Sequence, residues 1–295
     1  MMNDEIIKAL AFNQSVRIYA VSNTNTLNEI GKRLHYYPSA LDAMGRVLSM
    51  GAMMGSMLKL EETITLKVEG DGPIGKIIVD SDAHGNIRGY CDNPHCHFEY
   101  NDFRLNAKQT IGTTGFISVI KDLKLKEPFI GSTPIISGEI AEDFAYYFQV
   151  SEQIPSAVGL GVLVDTNNMA TSSGGFIVQL MPNTSEEVIY KLEEKLKLIP
   201  TVSEMLSSGY TVEDMIYNIA EDVQILEKIP LNFRCNCSKE RFARGILSLG
   251  AIEEMIDENK TQETTCHFCG NKYYFTKEDL NDLYKIAKGK ECKTC

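Results

Sequence analysis

Cys235-Asn236-Cys237 and, after 28 intervening residues, Cys266-His267-Phe268-Cys269 are the two stretches on which the reading of this chain turns. Two close cysteine pairs at such a separation suit a tetrahedral four-cysteine zinc site, each pair on a tight turn and the chain between them folding back. Gly270 directly after Cys269 can accept the turn geometry of a zinc knuckle. Four thiolates fill the coordination shell and leave no position for an activated water, so the site reads as structural or regulatory rather than hydrolytic. His267 is a conceivable ligand, but four sulfurs suffice without it. The C-x-C half raises a second possibility beside an inert brace. Zinc keeps the sulfurs as thiolates, the form that oxidants attack, while a disulfide between Cys235 and Cys237 would close a very small, strained ring. Metal binding supplies about 10–16 kcal/mol to small zinc modules, against net domain stabilities of about 5–15 kcal/mol. Losing the metal is therefore enough to unfold a module spanning residues 231–295.

The rest of the composition bounds the setting. The chain has 295 residues, 43% hydrophobic and 23% charged, which is ordinary for a globular protein. A net charge of -11 argues against nucleic acid as a partner, because phosphate neutralisation needs clustered Lys and Arg. Asp4, Glu5 and Lys8 interrupt the apolar stretch at the N-terminus, unlike a signal peptide. No apolar run of about 18 residues is present to span a membrane. A cytoplasmic location is expected, where thiols stay reduced and eight cysteines call for metal or redox chemistry.

Upstream of the cysteines, strand and helix signals alternate. Ser15–Ser22, Thr63–Val68, Lys76–Asp80, Gly115–Ile120, Ile135–Ile140, Ala157–Val164 and Gly175–Met181 read as strands. Ser39–Leu60 reads as a helix, with Ser39 and Asp42 in a capping-box arrangement and Met44, Val47, Leu48, Gly51, Met54 and Leu58 on one face. A second helix is predicted over Ala141–Val150. The pattern indicates an α/β (α+β) core domain with a mixed sheet over residues 1–182. Beyond Pro182, the Thr184/Glu187 spacing opens a helix carrying Val188, Leu192, Leu196 and Ile199, which Pro200 stops. A further helical pattern runs through Val212, Met215, Ile216, Ile219, Val223 and Leu226 to Pro230. Residues 183–230 thus form a helical linker whose apolar stripe needs a covering surface, and residues 231–295 a small C-terminal zinc-binding domain.

Other motifs carry less. Gly70-Asp-Gly-Pro-Ile-Gly75 matches G-x-G-x-x-G, but Pro73 and the β-branched residues that follow indicate a hairpin turn rather than a phosphate loop. The Met-rich segment Met44–Met57 could be an adaptable binding face, though glycines 45, 51 and 55 favour close packing. Cys91 and Cys96, beside His95 and His97, admit a second metal site or buried thiols. Cys292 and Cys295 add a C-x-x-C pair at the C-terminal end. No Ser/His/Asp or paired-carboxylate set stands out, so no enzymatic activity is expected.

Several segments together resemble the redox-regulated 33 kDa heat-shock protein family of holdase chaperones. They are Phe233-Arg-Cys-Asn-Cys-Ser-Lys-Glu-Arg241, Leu247-Ser-Leu-Gly250 and Cys266-His-Phe-Cys269 with Tyr274 and Phe275. In the core, Gly70–Gly75, Arg88-Gly-Tyr90 before Asn93-Pro94, Ser151–Val158 and Gly174-Gly175 before Gln179 also match. The resemblance implies one zinc per chain on Cys235, Cys237, Cys266 and Cys269 in a reduced, inactive state. It implies that oxidation pairs Cys235 with Cys237 and Cys266 with Cys269, releases zinc, unfolds the linker and activates binding of unfolded client proteins without ATP. It also implies that oxidised members associate as homodimers. The competing reading is a constitutive zinc-ribbon protein or nucleic-acid interaction module.

Overall fold

The computed structural model describes residues 3–102, 104–248 and 251–291. The chain divides between Arg234 and Cys235 into two compact units. The first unit runs β1 (Glu5–Ala11), β2 (Val16–Ser22), α1 (Thr24–Leu34), α2 (Pro38–Ser56), β3 (Thr63–Gly70), β4 (Lys76–Asp82), β5 (Asn86–Cys91), α3 (Ala107–Ile111), β6 (Gly115–Asp122), β7 (Phe129–Pro134) and α4 (Ile140–Tyr147), with a π-helical turn at Phe148–Glu152. It continues through β8 (Ser156–Val164), β9 (Ala170–Leu180), α5 (Glu186–Leu198), α6 (Val202–Ser207), α7 (Val212–Ile219), β10 (Gln224–Pro230) and β11 (Asn232–Phe233). The second holds α8 (Lys239–Ser248), α9 (Ile252–Asp257), β12 (Gln262–Thr265), β13 (Lys272–Phe275) and α10 (Lys277–Glu291). The α/β core with a mixed sheet, the helical linker and the small C-terminal module with its cysteine cluster are all present.

Two sheets clamp α2. One is ordered β10-β1-β2-β9-β8 and wholly antiparallel; the other is ordered β11-β5-β4-β3-β6-β7, with a single parallel pair, β11 on β5. Every residue of α2 from Ser39 to Ser56 is buried except Arg46. The helix is therefore buried all round rather than along the single stripe predicted, its one buried carboxylate, Asp42, paired with Arg46 at 3.0 Å. Gly45 and Gly51 let the sheets close on it from opposite sides: a Cβ on Gly45 would meet Val162 of β8 at 2.9 Å, and one on Gly51 would meet Val79 of β4 at 2.5 Å. The Met-rich segment is core.

The linker helices cover the other face of the five-stranded sheet. Val202, Met205, Val212, Met215, Ile216 and Ile219 are buried on Ile7, Ala9, Val16, Ile18, Phe176 and Val178. Capping boxes open α6 (Thr201 with Glu204) and α7 (Thr211 with Asp214). The first linker helix, α5, is held more lightly: Leu192 is its one buried residue, and Tyr190 and Leu198 are 65% and 81% exposed.

Several predicted elements shift. Ser39 does not cap α2. Pro38 opens the helix, and the Ser39 hydroxyl instead donates to Phe98 O and accepts from Phe98 N, both at 2.8 Å. Residues 135–139 are a loop and not a strand, because the buried Asp143 carboxylate gathers the N–H groups of Ile136, Ser137 and Gly138; the strand lies just before, in β7. Ser185 and not Thr184 caps α5, since the Thr184 hydroxyl is spent on Ser15 O at 2.8 Å. The last linker helix stops at Ile219; Val223 and Leu226 belong to the chain entering β10, which pairs with β1 and shields that strand's open edge. Gly70–Gly75 is the β3–β4 turn, as its proline suggested.

Where α7 passes into β10, Asp222 holds a strained turn. Phe12, Asn13 and Gln14 have φ of 50°, 51° and 66°, a left-handed run costing about 1–2 kcal/mol per residue. The Asp222 carboxylate accepts from Phe12 N at 2.9 Å and Asn13 N at 2.7 Å. Burial is the largest single influence and pushes its pKa up, but the backbone hydrogen bonds from Asn13 and Phe12, with that of Asp222 itself, together outweigh it and hold the carboxyl below the usual range. A depressed carboxylate contributes stability above its unfolded pKa and loses it as pH falls through the folded one. Asp222→Asn is therefore expected to cost about 1 kcal/mol at neutral pH. That cost should shrink in acid, as read by urea unfolding at two pH values.

Candidate metal centre

The second unit has a small apolar core. Among the described residues, Ala243, Ile246, Ile252, Phe275 and Leu280 are its buried apolar members besides the cysteines. A core of this size does not hold a module together unaided, which is where metals or disulfides are normally found. The β12–β13 hairpin supplies one half of the site. Thr264 lies opposite Tyr273 and Thr265 opposite Lys272, and the six-residue turn between is closed by Cys266 N donating to Asn271 O at 2.9 Å and Gly270 N to Cys266 O at 2.8 Å. Gly270 takes φ of 72°, the left-handed position that its place in the motif suggested. Cys266 and Cys269 sit at the two ends of this knuckle and are buried.

Cys235 and Cys237 come from the extended stretch before α8, whose first turn is capped by the Ser238 hydroxyl accepting from Arg241 N at 3.3 Å. Extended backbone lets side chains two apart lie on the same side, so both sulfurs can face the knuckle. The Sγ atoms of Cys235 and Cys266 are 3.7 Å apart and those of Cys237 and Cys269 3.3 Å. All four lie within 4.8 Å of one another. A tetrahedron with metal–sulfur bonds of about 2.3 Å has edges of about 3.8 Å. The donor set and its spacing fit a single tetrahedral ion such as zinc.

Hydrogen bonds finish the setting. The Tyr273 hydroxyl donates to Cys237 Sγ at 3.1 Å, and its ring packs on Phe242 of α8 with centroids 5.1 Å apart. Cys266 accepts from the backbone of Cys269 and Phe268, and Cys269 from that of Asn271. The sulfurs do not ionise alike. Burial pushes the thiols of Cys266 and Cys269 up; burial also opposes ionisation of Cys237, but the hydrogen bonds from Tyr273 and the neighbouring thiols bring it down to about 7. Sharing that bond, and then burial, push Tyr273 up to about 12. Four thiolates in this space need a cation to balance them.

The structure brings the four predicted cysteines together and leaves His267 exposed and outside their group. The second candidate cluster does not assemble. Cys91 and Cys96 are buried in the core of the first unit, and burial pushes the Cys91 thiol up to about 12. His95 packs on Tyr37 with ring centroids 5.1 Å apart, and His97 reaches Ser39 and Glu99, each at 3.3 Å. None of these joins a metal-capable group among the described residues. Cys292 and Cys295 lie outside the described residues. Tyr273 is the site residue that spacing arguments miss. Its signal is strand alternation, which puts Tyr273 with the buried Phe275 and turns Tyr274 outward, 52% exposed.

A family model described as "Hsp33 protein" matches residues 4–276. The chain belongs to the Hsp33 family. It is 48% identical to the 33 kDa chaperonin of Bacillus pumilus over 284 residues, covering 95% of this chain and 98% of that protein. It is also 48% identical to the 33 kDa chaperonin of Halalkalibacterium halodurans over 291 residues, covering 97% and 100%. Among solved structures, the crystal structure of the 33 kDa chaperonin (heat shock protein 33 homolog) from Thermotoga maritima superposes with a TM-score of 0.88 at 32% identity, covering 97% of this chain and 99% of that one. The Hsp33 match stops at residue 276 and so includes the four clustered cysteines but not Cys292 or Cys295. Among the described residues, no helix is long and apolar enough to cross a membrane.

Removing one sulfur opens the shell and leaves three ligands. Cys269→Ser is expected to abolish stoichiometric zinc binding after dialysis against a mild chelator, whereas His267→Ala retains one zinc per chain. Metal analysis of the two purified variants reads both outcomes.

Proposed function

We propose that this Hsp33 family member is a cytoplasmic, redox-regulated, ATP-independent holdase that protects unfolding proteins from aggregation during oxidative stress. The carrying observation is the convergence of the Cys235, Cys237, Cys266 and Cys269 sulfurs within 4.8 Å in a unit with so small an apolar core. Residues 1–182 act as the core domain, 183–230 as a releasable linker and 231–295 as the switch. In the reduced state the four cysteines hold one zinc, which supplies the positive charge that lets all four remain thiolates.

Oxidation then acts on the chain's own sulfurs. One thiolate attacks peroxide, the O–O bond breaks, and a sulfenic acid forms as hydroxide leaves. A neighbouring thiolate displaces the second hydroxide and closes a disulfide. Four thiolates and two peroxides thus give two disulfides and four hydroxides. The pairing read for the family is Cys235 with Cys237 and Cys266 with Cys269. The sulfur contacts of 3.7 Å and 3.3 Å cross between these pairs, as edges of a tetrahedron can, and so do not choose between pairings.

A disulfide is a poor ligand set, so the module loses binding energy of about 10–16 kcal/mol, comparable with the whole stability of a domain. The core sheet holds the chain as far as Arg234, whose N–H donates to Ile87 O at 3.0 Å, and Cys235 is the next residue. Disorder starting at the cysteines therefore begins two residues after β11 and five after β10, the strand that follows the linker helices and pairs with β1. Departure of α5–α7 uncovers Ile7, Val16, Ile18 and Phe176, a continuous apolar surface of the kind that captures unfolded chains. Oxidised copies carrying such surfaces pair as homodimers.

The test compares reduced and peroxide-treated protein in suppressing aggregation of a heat-unfolded client while a chromogenic chelator follows zinc. Activity is expected to rise in step with release of one zinc per chain. Equal activity in both states with zinc retained would favour a constitutive zinc-ribbon module instead.

A further inference from the structure

Of the four clustered sulfurs, Cys237 receives its outside hydrogen bond from a side chain, whereas Cys266 and Cys269 are served by backbone N–H groups. We propose that Tyr273 is a positioning residue that restrains Cys237, its hydroxyl holding that sulfur as a coordinating thiolate and slowing its reaction with peroxide. The inference rests on the zinc-switch reading above and goes further by naming a residue that sets the threshold of the switch.

The hydroxyl is fixed from two directions. Strand β13 places Tyr273 opposite Thr264, whose hydroxyl donates to Tyr273 O at 3.4 Å. The ring lies on Phe242 at an interplanar angle of 34°, so the phenol reaches the sulfur as a rigid arm of aromatic ring. At 3.1 Å the O–H···S contact is well within bonding range for sulfur.

Two consequences follow from the direction of donation. The bond stabilises negative charge on Cys237 Sγ, and partners of this kind behind a metal ligand are worth about 10–100-fold in metal affinity. It also engages the sulfur electron density that must move when the thiolate attacks peroxide, forming the S–O bond as the O–O bond breaks and hydroxide leaves. As that charge departs, the hydrogen bond weakens, so the transition state is less stabilised than the ground state and attack at Cys237 is slowed. A hydrogen bond to a charged group is worth about 1.5–3 kcal/mol, which converts to about 10–100-fold in rate if it is wholly lost in the transition state.

The experiment uses the full zinc-loaded chain and Tyr273→Phe, which keeps the ring on Phe242 and deletes the hydroxyl alone. Zinc affinity, by chelator competition, is expected to weaken by about 10–100-fold. Peroxide-driven zinc release and loss of the Cys237 thiol, followed by alkylation and mass spectrometry, should quicken by about tenfold. In cobalt-substituted protein the sulfur-to-metal charge-transfer band should shift, a signature that loosened packing alone does not produce. Tyr274→Phe, on the exposed side of the strand, should leave all three readouts unchanged. Phe242→Leu, which retains the hydroxyl but frees the ring, should move them in the same direction by less and gives a second measurement if Tyr273→Phe loads metal poorly. A parent chain that binds and releases zinc while Tyr273→Phe is indistinguishable from it overturns this inference alone. A parent that binds no zinc overturns the switch reading with it.

Discussion

Four sulfurs crowded within 4.8 Å pose an electrostatic problem that the protein alone does not solve. Burial opposes ionisation of Cys266 and Cys269, yet a closed tetrahedral shell requires all four as thiolates. A divalent cation would resolve the conflict, and it would do so in a unit whose buried apolar side chains are too few to fold it independently. On the proposed reading, coordination, charge balance and folding of the C-terminal module are one equilibrium. Anything that removes electrons from the sulfurs acts on all three at once.

The first unit has a layer that the proposed switch could release. Its two sheets share α2, which is buried all round and gives the sandwich a core that does not involve the linker. The linker helices form a separate layer, with their own apolar cluster on the far face of the five-stranded sheet. That layer is short helices with polar caps: α6 and α7 span six and eight residues, and α5 buries one side chain. Helices of this length are marginal on their own, so the layer depends on its docking surface and on the strands that follow it. The clasp at Asp222 and the pairing of β10 on β1 tie the end of the layer to the sheet.

Much of this was legible in the residues. C-x-C and C-x-x-C spacing identified the metal-capable cluster because ligand geometry is local to each pair, and Gly270 marked the knuckle. Alternating β-branched runs located β2, β3, β4, β6, β8 and β9 to within a few residues. What escaped depended on partners distant in sequence. β10 looked like a continuation of a helix until β1 offered it an edge, and Ile135-Ile136 looked like a strand until Asp143 gathered its N–H groups. Ser39 had the spacing of a cap, but Phe98, 59 residues away, claimed its hydroxyl. Cys91 and Cys96 had ligand chemistry without ligand geometry, since the core buried the thiols and left His95 to pack against Tyr37. Tyr273 was hidden because its sulfur partner lies 36 positions away.

The account stands on a link between the metal and the linker layer. Hydrogen exchange, read by mass spectrometry on the zinc-loaded and the fully oxidised, zinc-free chain, tests it most directly. The account predicts that amides of residues 186–219 lose their protection when the metal leaves, while those of α2 and of strands β3 and β4 keep theirs. Protection of the linker helices that is unchanged in zinc-free protein would contradict it.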